Sequence, residues 1–137
     1  MSNIKLYRHP LSGHSHRVEL LLSLLGIDAE IITIDLMTGE QKKPEFLAKN
    51  PQGQVPLLDD NGLLIADSNA ILVYLATKYD SARTWLSADA EQAAKIQQML
   101  TLAAGPVASG PGAARLITLF GAGYDPETTI NNSHTLL

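Results

Sequence analysis

With 137 residues, 45% of them apolar and 18% charged, the chain is long enough to bury an aliphatic core and too apolar for extended disorder. Its formal charge of -4 and ten scattered Lys and Arg residues offer no basic surface for nucleic acid or an anionic membrane. The absence of cysteine removes disulfides, thiolate metal sites and a cysteine nucleophile, and without a signal-peptide pattern or a run of roughly 18 apolar residues the expected location is the cytoplasm.

"IKLY" (4–7) alternates apolar and polar residues as a first strand, and Pro10 and Gly13 in "RHPLSG" mark the loop that ends it. Val18, Leu21, Leu22 and Leu25 then form a helical stripe. Leu20 and Leu24 widen it, which predicts packing on more than one side, and Gly26 is placed to stop the helix. The β-branched stretch "AEIITIDL" (29–36) reads as a second strand, so strand, helix and strand form a parallel crossover. After the polar loop "MTGEQKK", Pro44 opens a short helix, "PEFLAKN", that must end before Pro51. "QVPLLDD" and "GLLIAD", joined by "DDNG", read as an antiparallel hairpin. In "DSNAILVYLATKY", Asp67 and Ser68 form an N-cap pair, with Ile71, Leu72, Leu75 and Tyr79 at helical spacing.

The predicted order is β-α-β-α-β-β-α, an α/β domain over residues 1–80. The character then changes, which places a domain boundary between Asp80 and Ser87. Residues 87–137 begin with the alanine-rich helix "ADAEQAAKIQQMLTLAA" and contain no further strand pattern. Gly105, Pro106, Gly110, Pro111 and Gly112 are expected to end or kink a helix, and "AARLITLFG" to form a short one. A helix start at Asp125 or Pro126 is not expected to develop, so the second segment reads as an incomplete all-α domain.

The stretch "HPLSGHSHRVELLLSLLG" (9–26) crowds His9, His14 and His16 around two serines. With a helix starting near Ser15, histidines two apart point in different directions, and no carboxylate in the loop completes a tetrahedral metal site, so no metal is expected. A serine hydrolase is equally disfavoured, because the glycine-serine-glycine elbow is absent. The loop does sit at the carboxyl end of a strand and before a helix N-terminus, where free N–H groups attract anions. A hydroxyl there, from Ser12 or Ser15, can donate to an anion such as a thiolate; a plain N-cap is the structural alternative. "GQVP" places Pro56 where it marks either an edge strand or a cis peptide. In "ADS", Ser68 and the helix N–H groups can hold a carboxylate while Asp67 accepts from an ammonium group, although capping alone explains the pair as well.

Taken together, "HPLSGHSHRVELLLSLLGI", "KKPEFLAKNPQGQVPLLDD" and "IADSNAILVYLATKY" resemble the glutathione transferase family in order and content. "NPxGQVP" followed by "DSNAI" is specific as a combination. The resemblance implies a thioredoxin-like first domain over residues 3–79, followed by the start of the family's helical domain. It implies that Ser12, with Ser15 the weaker candidate, hydrogen-bonds the glutathione thiolate. Gln41, where many relatives have histidine, and Lys42 correspond to positions that hold the glycyl carboxylate. Gln54 and Val55 match the pair gripping the cysteinyl part, Pro56 the family's cis-proline, and Asp67 and Ser68 the pair binding the γ-glutamyl end; His14 lines the site.

The implied activity is a glutathione transferase whose thiolate attacks a small electrophile, a peroxide or a disulfide. Glutathione is the co-substrate, no metal is used, and the chain forms a homodimer without nucleic acid or membrane. The family's chains continue through further helices, so the sequence predicts exposed apolar faces around Leu102, Leu116 and Phe120. That departure supports an alternative: a non-catalytic, transferase-like module acting in protein assembly.

Overall fold

Burial with a period of two along β1 (Ile4–Arg8) defines two faces of a sheet: Ile4 and Leu6 are buried on one side and Tyr7 on the other. In the computed structural model, which describes residues 3–136, β1 pairs in parallel with β2 (Glu30–Thr33) and antiparallel with β3 (Leu57–Asp60). β3 pairs antiparallel with β4 (Leu63–Ala66), giving the order β2-β1-β3-β4. α1 (Gly13–Leu24) makes the crossover and α3 (Ser68–Tyr79) follows the hairpin. Both supply the first face: Val18, Leu21 and Leu22 from α1 and Ile71 and Leu75 from α3 close over Ile4, Leu6 and Leu58. On the second face Phe46 of α2 (Pro44–Leu47) packs with Tyr7, Ile34 and Leu57, its ring edge-on to Tyr7 at 6.1 Å. This is the βαβαββα order expected from the sequence.

Several boundaries differ from the sequence reading. β2 is shorter than 29–36 because Asp35 turns the chain, its Oδ1 accepting the N–H groups of Met37 and Thr38. Those bonds, the Thr38 N–H foremost, hold the Asp35 carboxyl below its usual range. α1 begins at Gly13 rather than near Ser15, because the Ser12 side chain caps it. Leu20 and Leu24 do not pack on a second side: they are 49% and 55% exposed, since a 3.6-residue period turns them away from the Val18 stripe. At α3 the cap is Asp67 alone, with Ser68 as the first helical residue.

The chain divides into two units, Met1–Leu86 and Ser87–Leu137. Among the described residues of the second, the regular elements are all helices. Asp89 caps α4 (Ala90–Leu102), whose end neither stops nor breaks at the Gly/Pro cluster but widens into a π-helical segment, Ala103–Gly112, containing Pro106 and Pro111. The wider turn accommodates prolines that an α-helical interior would reject. α5 (Ala113–Phe120) closes at Gly121, where φ is +60°. Contrary to the expectation, a helix does develop after Asp125: α6 (Pro126–Leu136) starts with Asp125 Oδ2 accepting the Thr128 N–H at 2.7 Å. It packs without an apolar stripe, because Gly110 has no side chain where the Ser133 nitrogen lies 3.1 Å from a would-be Cβ. Leu102 is exposed, whereas Leu116 and Phe120 are half-buried. Among the described residues no helix is long and apolar enough to cross a membrane.

A buried carboxylate secures one end of the sheet. Asp60, paired in register with Ile4, accepts from Tyr74 Oη at 2.7 Å, Tyr79 Oη at 2.6 Å and Lys78 Nζ at 2.6 Å, while Asn61 Nδ2 takes its other oxygen. Burial alone would raise its pKa, but the Lys78, Tyr79, Tyr74 and Asn61 donors outweigh it and hold the carboxyl well below the usual range. A depressed folded pKa stabilises the fold above the unfolded value near 4, and this stabilisation drains away as pH falls through the folded value. Asp60→Asn is expected to cost about 2 kcal/mol, less than the roughly 3–5 of a fully buried pair because Lys78 is 46% exposed. Urea unfolding at stepped pH should show the variant losing part of the wild-type decline in stability below about pH 5; parallel curves for both proteins would refute this role.

Candidate functional site

Register brings the candidate residues together. Tyr7 pairs with Leu57 and Leu57 with Ala66, so the segment leaving β1, the segment entering β3 and the segment leaving β4 lie at the same end of the sheet. They carry Ser12, then Gln54, Val55 and Pro56, then Asp67 and Ser68. The Val55–Pro56 bond is cis.

Ser12 stands at the N-cap of α1, with its Oγ accepting the Ser15 N–H at 3.1 Å. That bond uses an oxygen lone pair and leaves the hydroxyl hydrogen uncommitted. The first-turn N–H groups of α1 add the positive end of the helix dipole. Ser15 is placed differently: it is fully buried, and its Oγ accepts the His9 N–H at 3.4 Å beneath the loop. His9 Nδ1 accepts the Leu11 N–H at 3.1 Å, so this ring shapes the loop from inside.

At α3, Asp67 has φ +75° and its Oδ1 accepts the Ala70 N–H at 3.0 Å. A left-handed φ is unfavourable for a residue with a side chain, and here the sharp strand-to-helix turn imposes it. The Asp67 side chain is exposed, while Ser68 is buried. Arg17 donates to Ser68 Oγ from Nη1 at 3.2 Å and to Asn69 Oδ1 from Nη2 at 2.7 Å. Partial burial lowers the Arg17 pKa and the Asp67 charge opposes that shift. On its other side Ser68 Oγ lies 3.3 Å from His14 Nδ1. Arg17 is a site residue the sequence reading missed, because its partners lie 51 and 52 residues away and no local pattern announces them.

Gln41 and Lys42 occupy a 3-10 turn, Glu40–Lys42, and are brought to the 52–54 loop. Lys42 Nζ donates to the Gln52 carbonyl at 3.0 Å. Gly53, with φ +59°, fits beneath them: a Cβ there would lie 2.7 Å from the Gln41 carbonyl oxygen and 2.9 Å from Lys42 Nζ. The buried Asn50, also missed, organises the same loop by donating to the Gln54 carbonyl at 2.8 Å and accepting the Gln52 N–H at 3.2 Å. Gln41 Oε1 is buried without a hydrogen-bond partner, a polar atom the fold does not satisfy. Among the described residues no three His, Asp or Glu side chains group as a metal site. None of the candidate residues lines the open concavity of about 380 Å³ walled by Tyr7, Ile32, Ile34 and Phe46.

Residues 2–77, more than half of the chain, match the family model described as "Glutathione S-transferase, N-terminal domain". The chain belongs to the glutathione S-transferase family. It is 44% identical over 100 residues to glutathione S-transferase 3 of Zea mays, covering 73% of this chain and 45% of that protein. A zeta-class glutathione S-transferase of Euphorbia esula is 49% identical over 76 residues, 56% of this chain and 34% of that one. Among solved structures, a glutathione transferase homolog from Drosophila mojavensis with bound glutathione superposes with a TM-score of 0.89 at 31% identity, covering 99% of this chain and 63% of that one. The chain therefore has the thioredoxin-like transferase fold with a helical C-terminal region, and it spans less than half the length of these curated relatives.

The Arg17 fork is the contact here most open to a direct test. In Arg17→Lys a single ammonium cannot serve both Ser68 and Asn69, so chemical unfolding should show a loss of about 1 kcal/mol. An unchanged unfolding midpoint would mean that the fork carries no stabilising energy.

Proposed function

We propose that this chain binds glutathione across the shared end of β1, β3 and β4, and that the Ser12 hydroxyl stabilises the thiolate for attack. The carrying observation is the Ser12 geometry: its oxygen caps α1 at 3.1 Å, so its hydrogen can be donated outward beside the helix N-terminus. In this reading Asp67 receives the γ-glutamyl ammonium group and Ser68 the neighbouring carboxylate. Gln54 and Val55 hold the cysteinyl part, and Gln41 with Lys42 the glycyl carboxylate. The Lys42 ammonium, which keeps further N–H donors beyond its bond to the Gln52 carbonyl, supports that end of the assignment.

Chemically the demand on Ser12 is modest. Lowering a thiol pKa from about 8.5 by roughly two units favours the anion by about 2.7 kcal/mol, within the range of one hydroxyl and a helix terminus. The thiolate then forms a carbon–sulfur bond while the leaving group departs with its electron pair. Otherwise it attacks a peroxide oxygen, breaking the O–O bond to expel hydroxide or alkoxide and leave a sulfenic acid, or attacks a disulfide sulfur, breaking the S–S bond to expel a thiolate and leave a mixed disulfide. We further infer that the chain works as a homodimer in the cytoplasm, in the removal of small electrophiles.

Retention on immobilised glutathione and ultraviolet titration of the bound thiol test this reading. The wild-type complex should titrate at about pH 6.5 and Ser12→Ala higher, toward but below about 8.5 because the helix terminus remains, with conjugation to a chloronitroarene at least about tenfold slower in the variant. Failure of the wild type to bind glutathione would overturn the reading, and binding without turnover would favour the assembly module. A thiol that titrates in Ser12→Ala where it does in the wild type would remove Ser12 from its role.

A further inference from the structure

We propose that His14 couples proton uptake to the binding of the γ-glutamyl carboxylate by controlling where the Ser68 hydroxyl hydrogen points; this rests on the glutathione reading above. A serine hydroxyl has one hydrogen to give and two lone pairs to receive with. Arg17 Nη1 occupies one lone pair of Ser68 Oγ at 3.2 Å, and His14 Nδ1 stands 3.3 Å away on the other side. When His14 is neutral with its hydrogen on Nε2, Nδ1 is an acceptor and takes the Ser68 hydrogen. The hydroxyl is then engaged, and an incoming carboxylate takes its hydrogen only by breaking that bond or by shifting His14 to its Nδ1–H tautomer.

Protonation of His14 reverses the bond. Nδ1–H now donates to Ser68 Oγ, both lone pairs are filled by Arg17 and His14, and the hydroxyl hydrogen turns to the ligand. The imidazolium charge attracts the same carboxylate. The other charged groups facing this cluster are Arg17 on α1 and Asp67 at the start of α3. A guanidinium stays charged throughout, and carboxylates titrate below the imidazole range, so between about pH 5.5 and 8 the switching group is an imidazole. His14, on the exposed first turn of α1, is the imidazole in contact with Ser68. His9 and His16 are close in sequence, and a His14 variant separates their contribution.

Calorimetric titration with S-methylglutathione provides the test, because its sulfur carries no titratable proton. Measurements at about pH 5.5, 7 and 8, each in two buffers of different ionisation enthalpy, give both affinity and protons taken up. The wild type should bind about three- to tenfold more tightly at the lower pH, and single-site linkage then sets a peak uptake of about a quarter to a half of a proton at the intermediate pH. His14→Asn keeps a neutral polar side chain and should bind with flat affinity and no His14-linked uptake. Equal proton uptake in both proteins, or none in the wild type, overturns the His14 proposal while leaving glutathione binding intact. Absence of wild-type binding at every pH overturns both.

Discussion

The guanidinium of Arg17 is the constraint on which this end of the molecule depends. Two helices approach the edge of the sheet here, α1 from the β1 loop and α3 from the β4 turn, and each presents a row of N–H groups with no partner within its own helix. Ser12 satisfies one such group on α1 and Asp67 one on α3. Neither cap fixes the spacing between the helices. Arg17 does so, because its planar fork reaches Ser68 and Asn69 together and admits one mutual placement of the two N-termini. The proposed thiolate partner and the proposed carboxylate partner are thereby held at a set separation before any ligand arrives, which lowers the ordering cost of binding.

The two ends of the sheet are finished in opposite ways. At the Asp60 end one buried β3 carboxylate collects four donors, Asn61 from the hairpin turn and Tyr74, Lys78 and Tyr79 from α3. At the Ser12 end polar capacity is left over, in the Ser12 hydrogen, the exposed Asp67 carboxylate and the buried, unpartnered Gln41 Oε1. The Ser12 hydrogen and the Asp67 carboxylate are open to water and so can be exchanged to a ligand at little cost, whereas the buried Gln41 oxygen carries the penalty of an unmade bond. The saturated end supplies stability that does not depend on the ligand.

How much of this was legible in the sequence follows from the range of each interaction. Caps, turns and strand alternation are local, and they were read at Ser12, Asp67 and the "DDNG" hairpin with errors of a residue or two. Residues acting across the chain were not: Arg17 looks like an ordinary polar position on α1 until the fold brings Ser68 and Asn69 close, and Asn50, whose partners are local, looks like any loop residue because its bonds follow no periodic pattern. Leu20 and Leu24 misled in the other direction, because a run of leucines suggests burial on all sides whereas the helical period exposes these two. α6 was missed for a related reason. Its contact with Gly110 is made by backbone and small polar residues, which leave no apolar stripe to read.

The choice between the two serines shows how local chemistry and packing together decide a site. Both sit in "LSGHS", both can bond a backbone N–H, and either could face an anion on sequence grounds alone. Ser15 lies inside the first turn of α1, where the helix carries it under the β1 loop, and its oxygen serves the His9 N–H. A hydroxyl fully enclosed there stabilises the loop that presents the site. Ser12 lies one residue before the helix, half-buried, in extended backbone geometry, so the same type of bond turns its oxygen toward the helix end and leaves its hydrogen for the outside. Two identical side chains three residues apart therefore take different tasks, and the start of the helix at Gly13 is what separates them.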